Sequence, residues 1–279
     1  MNRGRRAETT MLKRIAILPL ILIGTLVAGC MHFGKPRLTL PGGHTVVRGQ
    51  LVVHSDFPLA ATHRLLEELT ARRMDLSDRL AIPVSEEPIH VYLFDEADRF
   101  GGFVRLNYPE FPPRRAYFLE TDTRLQVYAQ WGDRVAEDLR HEVTHGYLHS
   151  VVPNLPLWLD EGLAEFFEVP RGHGGLNRVH LDWLAASVQL GEWRPNLGRL
   201  ETLDRPFEMN QGDYAEAWAW VHFLLEAGPE HRRLLCAYLS DLRGQGAAEP
   251  LSVRLRRHLG DPERALVEHV RRLAAAQER

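Results

Sequence analysis

The chain has 279 residues, 44% of them hydrophobic and 25% charged, which is ordinary globular material for one large domain or two intimate lobes. Its formal net charge is −3 and it holds only two cysteines, Cys30 and Cys236. That balance excludes a basic nucleic-acid-binding module and a disulfide scaffold.

The first thirty residues stand apart. Arg3, Arg5, Arg6, Lys13 and Arg14 form a basic region ahead of the apolar run Ile15 to Val27. The run is too short for a comfortable membrane span, and its flanks match a secretory signal. It ends in Leu26-Val27-Ala28-Gly29-Cys30, which resembles a bacterial lipobox. The resemblance implies a signal peptide over residues 1–29, lipid on Cys30 and attachment to the cell envelope. Met31 after the cysteine, in place of Asp, implies the outer membrane, facing the periplasm. The rival reading is a signal anchor that is never cleaved, and Met1 or Met11 serves equally as the start. Without residues 1–29 the chain keeps 29 basic and 36 acidic residues, a net charge of −7. Such a surface argues against nucleic acid and anionic lipid as partners, so the membrane would be reached through the N-terminal lipid.

Residues 30–44 are punctuated by Gly and Pro without periodicity and read as a tether spanning on the order of 20 Å. Thr45 to His54 alternates like one strand. Leu59 to Leu80 places apolar residues at 59, 65, 66, 69, 76 and 80, a helical spacing. Ile89 to Phe94 is a short buried strand, and Arg115 to Glu120 with Arg124 to Gln130 predicts a hairpin across Thr121-Asp122-Thr123. From Asp133 onward the periodic segments are helical: Arg178 to Leu190, Tyr214 to Glu226, Glu230 to Leu242, and Pro262 to Ala275. Cys236 lies in the third of these and reads as a buried thiol. The pattern predicts an α+β fold, with a sheet-and-helix lobe over 45–131 and a helical lobe over 132–279.

The chemistry gathers where the two parts meet. His141-Glu142-Val143-Thr144-His145 follows Asp133, a candidate N-cap, on a helix whose apolar stripe is Val135, Leu139 and Val143. Residues four apart share a helix face, so both imidazoles can converge on one metal ion, and Glu142 can reach a water there. A third ligand is needed. His149 lies about 12 Å along the axis from His141, too far for all three histidines to share an ion. An ordinary helix-end histidine explains it better. After Pro153 and Pro156, with Pro156 suited to a first helical turn, comes Trp158-Leu159-Asp160-Glu161-Gly162-Leu163-Ala164-Glu165. Glu161 is the better candidate, because Asp160 points about 100° away from the Glu161–Glu165 row. Gly162 would let this second helix approach the first, and Glu165 could accept the outward N–H of a ligand histidine.

These two segments resemble the gluzincin metallopeptidases, above all the peptidase-MA-like domains, in which an HExxH helix is followed by a W-x-x-E-G-x-A-E helix. The resemblance implies a two-lobed fold with the HExxH helix at the junction. It implies zinc on His141, His145 and Glu161, Glu142 as general base, and hydrolysis of a peptide or protein substrate. The motif pair covers about 35 residues, and a fainter likeness runs from Val46 to Glu226. A Gly-x-Met-Glu-Asn exopeptidase segment is missing, so an aminopeptidase is not implied. Related enzymes place a tyrosine downstream of the third ligand. Tyr214, opening a helix capped by Asp213, is the candidate donor to an oxyanion, with His222 as the alternative. By the same likeness the hairpin strand before the HExxH helix, carrying Val127 and Tyr128, would be an open edge for an extended peptide. Two rivals stand beside the peptidase: a catalytically idle zinc-binding lipoprotein scaffold, and a zinc hydrolase acting on a non-protein cell-envelope substrate.

Overall fold

In the computed structural model, which describes residues 39–205 and 208–277, five strands form one mixed sheet. They are β1 (His44–Arg48), β2 (Leu51–Ser55), β3 (Ile89–Phe94), β4 (Ala116–Thr121) and β5 (Arg124–Gln130). Their spatial order is β1-β2-β3-β5-β4; β2, β3 and β5 are mutually parallel, and the two outer strands are antiparallel to their neighbours. Side chains alternate along each strand. Ile89, Val91, Leu93, Val127 and Ala129 therefore enter the main core, while Tyr92, Phe94 and Tyr128 enter an aromatic one with Phe100 and Phe103 of α2 (Ala97–Asn107).

Helices cover the other face. α1 (Arg64–Leu80) and α3 (Val135–His149) pack beside each other, and α3 lies against β4 and β5. α4 (Leu157–Phe167) follows across a short connection and packs on α3. The chain continues through α5 (Arg178–Leu190), α6 (Leu197–Leu200), α7 (Gln211–Glu226), α8 (Pro229–Gln245), α9 (Leu251–Leu259) and α10 (Pro262–Gln277). Trp158 of α4 and Trp218 of α7, both 0% exposed, belong to the same apolar core as Val91 and Val127 of the sheet. The fold is α+β.

Several elements differ from the sequence expectation for identifiable reasons. Thr45–His54 is two strands, because Gly49 takes φ 57° and Gly49-Gln50 reverses the chain, pairing Arg48 with Leu51. α1 begins at Arg64 and not near Leu59: His63 caps it, its Nδ1 accepting from Leu65 N–H at 3.3 Å. The periodicity does not predict α2, whose Gly101 and Gly102 weaken the helical signal; Phe100 and Phe103 secure it by burial. Val127 and Tyr128 are not on an edge. They lie on β5, which is inserted between β3 and β4 and buries both faces, so the edge strand of this hairpin is β4, and β1 is the other edge of the sheet. The expected lipidation residue Cys30 and the signal segment lie outside the described residues. No helix among the described residues is long and apolar enough to cross a membrane.

Candidate metal centre

α3 buries Val135, Leu139 and Val143 in the core, as the stripe requires. Asp133 does not cap it; the N-cap is Arg134, without a side-chain cap bond. Glu137 and Asp138 supply the negative charge that the first turn favours, and Arg115 holds Asp138 through two bonds of 2.9 and 2.6 Å. α4 begins at Leu157 with Pro156 at its N-cap. Gly162 does permit a close helix approach, but to α7 and not to α3: a Cβ there would meet Ala217 O at 2.6 Å and Val221 Cγ2 at 2.9 Å.

The approach brings Glu161 between the two imidazoles. Glu161 Oε2 lies 3.5 Å from His141 Nε2 and 3.9 Å from His145 Nε2, and the ligand atoms of the three residues all lie within 4.8 Å of one another. Tetrahedral zinc with bonds of about 2.1 Å needs its ligand atoms about 3.4 Å apart, so the set is close to that spacing. Glu161 Oε2 is buried without a hydrogen-bond partner, an arrangement that costs free energy unless a cation completes it. The residues fit a metal ion.

The outer ring nitrogens are occupied. His141 Nδ1 is 3.0 Å from Glu168 Oε2. His145 Nδ1 is 2.8 Å from Asp160 Oδ1, an ion-pair contact and not an aligned hydrogen bond. Each carboxylate favours a proton on Nδ1 and leaves the Nε2 lone pair for a cation. Glu165, expected in this role, does not fill it: its Oε2 takes His180 Nε2 at 2.8 Å and Asn177 Nδ2 at 3.1 Å. The i, i+4, i+7 row Glu161, Glu165, Glu168 contains the signal that would have found Glu168. Asp160, set aside as a ligand for pointing off that row, points instead at His145. His149 is outside the His141-His145-Glu161 set: it bridges Glu120 Oε2 at 2.6 Å and Asp160 Oδ2 at 3.0 Å. Two further triplets, His145-His149-Asp160 and His141-Glu165-Glu168, come within metal-binding distance. In those two a histidine nitrogen already stands at hydrogen-bond distance from a carboxylate, His149 Nε2 3.0 Å from Asp160 Oδ2 and His141 Nδ1 3.0 Å from Glu168 Oε2, whereas the imidazole nitrogens lie 3.5 and 3.9 Å from Glu161 Oε2 and make no hydrogen bond to it.

Charges follow the same layout. Burial disfavours a charged His141, but Glu161 and Glu168 outweigh it and hold its pKa well above the ordinary value. Burial likewise opposes the rise at His145, which Asp160 and Glu161 bring about. Burial would raise Asp160, yet His145 and His149 hold it well below its ordinary value; His149 itself is pushed up to about 9 against its own burial, chiefly by Asp160. Glu168 is pushed up to about 7 by burial and by Glu165, against the pull of His141. Glu142, 8% exposed, is raised by burial, with His141 and His145 pulling down and Glu161 pushing up. So dense a set of carboxylates around two imidazoles favours positive charge at its centre.

Tyr214 reaches this region from the first turn of α7. That helix is capped by Asn210, with Asp213 as the reciprocal member of the capping box and not the cap itself. Tyr214 Oη accepts a bond of 3.1 Å from Arg114 Nη2, a residue the sequence reading did not single out. His222 is not brought to the site. It is buried, with Nδ1 2.9 Å from His269 Nε2. Cys236 is a free, half-buried thiol whose Sγ lies 3.7 Å from Arg79 O.

Comparison with protein-family models and with curated proteins finds no match to this chain. What the site can do therefore follows from its own chemistry.

Proposed function

We propose that the chain is a zinc-dependent peptide hydrolase of the gluzincin type, a sheet part and a helical part joined at α3, anchored to the cell envelope by lipid on Cys30. One observation carries the reading: the partnerless buried oxygen of Glu161 faces two imidazoles whose outer nitrogens are held by Asp160 and Glu168. His141, His145 and Glu161 would hold the ion. Zinc, when bound, supplies Lewis-acid polarisation of the scissile carbonyl and makes water a stronger acid. Glu142 takes a proton from the attacking water onto its carboxylate and delivers it to the leaving amine nitrogen. Tyr214 accepts from Arg114, so its own O–H remains available to donate to the carbonyl oxygen as negative charge develops there. The free edge of β4 offers backbone groups to an extended peptide, the part first expected of β5.

Glu142 also weighs against an idle zinc scaffold. It is buried beside the ligands, yet no hydrogen bond from a described side chain engages its carboxylate. A site kept for stability has no need of such a group. The test uses the full chain. Alanine at His141, His145 or Glu161 should lower zinc content. Glu142→Gln should keep about one zinc per chain while peptide cleavage falls by about 10²-fold or more. Tyr214→Phe should cut kcat by about 10²-fold at unchanged zinc content. Loss of zinc in Glu142→Gln would mean the ligands are misassigned. A zinc-loaded wild type that cleaves nothing in a broad peptide library would remove the peptidase reading in favour of the scaffold or a non-protein substrate.

A further inference from the structure

Arg114 lies two residues before β4, the edge strand that borders the metal centre. Phe118 of that strand stacks on His145 with ring centroids 5.7 Å apart, so the segment entering β4 is tied to the site. Besides donating to Tyr214 Oη at 3.1 Å, the Arg114 guanidinium lies over the Tyr214 ring, 6.0 Å from its centroid. Its charge acts on Glu161 and Glu142, and Tyr214 is in turn coupled to Glu161 and His141.

What holds this cation is a neutral phenol. No described carboxylate lies within 4.0 Å of Arg114, whereas the neighbouring Arg115 is held by Asp138 through two bonds and lies 3.9 Å from Glu137. Arg114 is also exposed to solvent. A guanidinium carries five N–H donors in a planar fork, so one bond to Tyr214 leaves an edge free for a bidentate acceptor. The rest of the site is acidic: Glu142, Glu161, Asp160 and Glu168 all face it or its ligands. Four carboxylates outweigh the charge of one divalent ion, so a substrate carboxylate gains from a further positive group that meets it at the rim of the site.

We propose that Arg114, steadied by Tyr214, is a specificity-determining residue that binds a carboxylate of the substrate. The inference rests on the hydrolase reading and names its substrate class: peptides with a carboxylate close to the scissile bond, at the C-terminus or on an Asp or Glu side chain. The Tyr214 bond orients the fork, and β4 fixes the segment that carries it. Removing the positive charge removes the preference, and reversing it transfers the preference to cationic peptides.

The experiment uses zinc-loaded full-length protein and one peptide sequence in four forms: free C-terminal acid, C-terminal amide, amide with an internal Glu, and amide with an internal Lys. Wild type should favour one of the two acidic forms over the plain amide by about 10- to 100-fold in kcat/KM, the scale of a charge-assisted bidentate bond, with the difference mainly in KM. Which acidic form is favoured tells a terminal carboxylate from a side-chain one. Arg114→Met should bring the acid-to-amide ratio near one, Arg114→Lys should keep part of it, and Arg114→Glu should favour the Lys peptide. Equilibrium binding of a short product-like peptide acid and its amide to Glu142→Gln protein, with and without Arg114→Met, gives a readout independent of turnover. A wild type that cleaves neither acidic form faster than the plain amide, or a preference unmoved in Arg114→Met, overturns the proposal and leaves the hydrolase reading intact. Arg114-dependent binding of the acid without cleavage of any peptide supports the proposal and sinks the hydrolase reading instead.

Discussion

Gly162→Ala probes the helix contact that places Glu161. A Cβ at position 162 would stand 2.6 Å from Ala217 O, 2.8 Å from Ala217 C and 2.9 Å from Val221 Cγ2. The nearest atom is backbone, so no rotamer change relieves the overlap. The approach is about 0.8 Å short of the 3.4 Å at which ordinary contact begins, and α4 and α7 must separate by a comparable amount. Two effects oppose each other. Ala is a better helix former than Gly by about 1 kcal/mol. Overpacking a rigid interface costs about 1–3 kcal/mol, toward the upper end when backbone has to move. The packing term should win, leaving a net loss of about 1–2 kcal/mol and a Tm lower by about 2–8 °C for a chain of this size. Glu161 is the adjacent residue, so the same displacement carries its carboxylate away from His141 and His145, and zinc affinity should fall about tenfold. Calorimetry of the metal-free protein and competition of zinc against a chelating dye measure the two effects separately. A Tm that stays level or rises would refute the close approach of α4 and α7 and leave only helix propensity at work.

Asp160→Asn should keep the fold but weaken zinc binding by about 10- to 100-fold, since His145 loses the carboxylate that fixes its Nδ1 proton; Glu168→Gln should do the same through His141, and chelator competition reads both. Burial, with repulsion from His269 at His222 and from Arg272 at His269, lowers His222 to about 3 and His269 to about 4. The unfolded chain takes up protons near pH 6.5 that the folded one refuses, so stability is full above that pH and falls between about 6.5 and 3, His269 contributing down to about 4 and His222 down to about 3. By pH 5 the loss is on the order of 2 kcal/mol per histidine. Urea denaturation at pH 7.5 and 5 should display it, and the double variant His222→Gln/His269→Gln should flatten the slope; a slope that the variant leaves unchanged would assign it elsewhere. Cys30→Ser should abolish lipid labelling and block processing, and a mature wild-type N-terminus elsewhere with an unmodified Cys30 would end the lipoprotein reading.

What could be read along the chain was whatever a single element determines. The i, i+4 spacing of His141 and His145 places both imidazoles on one face of α3, and the Glu161 row follows from the pitch of α4 in the same way. The short strand at Ile89–Phe94 and the hairpin near Thr121-Asp122-Thr123 were legible because strand composition and turn chemistry are local, although Thr121 pairs with Arg124 and the turn itself is Asp122-Thr123. α2 was not, since burial of Phe100 and Phe103 overrides two glycines that weaken a helix taken alone. Nor was the edge: a hairpin has two strands, and only pairing of β5 with β3 decides that β4 lies outside.

At the site the division is the same. The sequence by itself determined the two helices and the faces that carry His141, His145 and Glu161, because helical pitch sets those angles within a few residues. The tertiary structure alone decided which carboxylate serves which histidine, with Glu168 on His141, Asp160 on His145 and Glu165 turned to His180. It alone brought Arg114 onto Tyr214, a hundred residues away in the chain. Those pairings depend on how far and at what rotation α4 settles between α3 and α7. That is fixed by the missing Cβ of Gly162 and by core packing, terms to which all the helices contribute together and which no local spacing encodes.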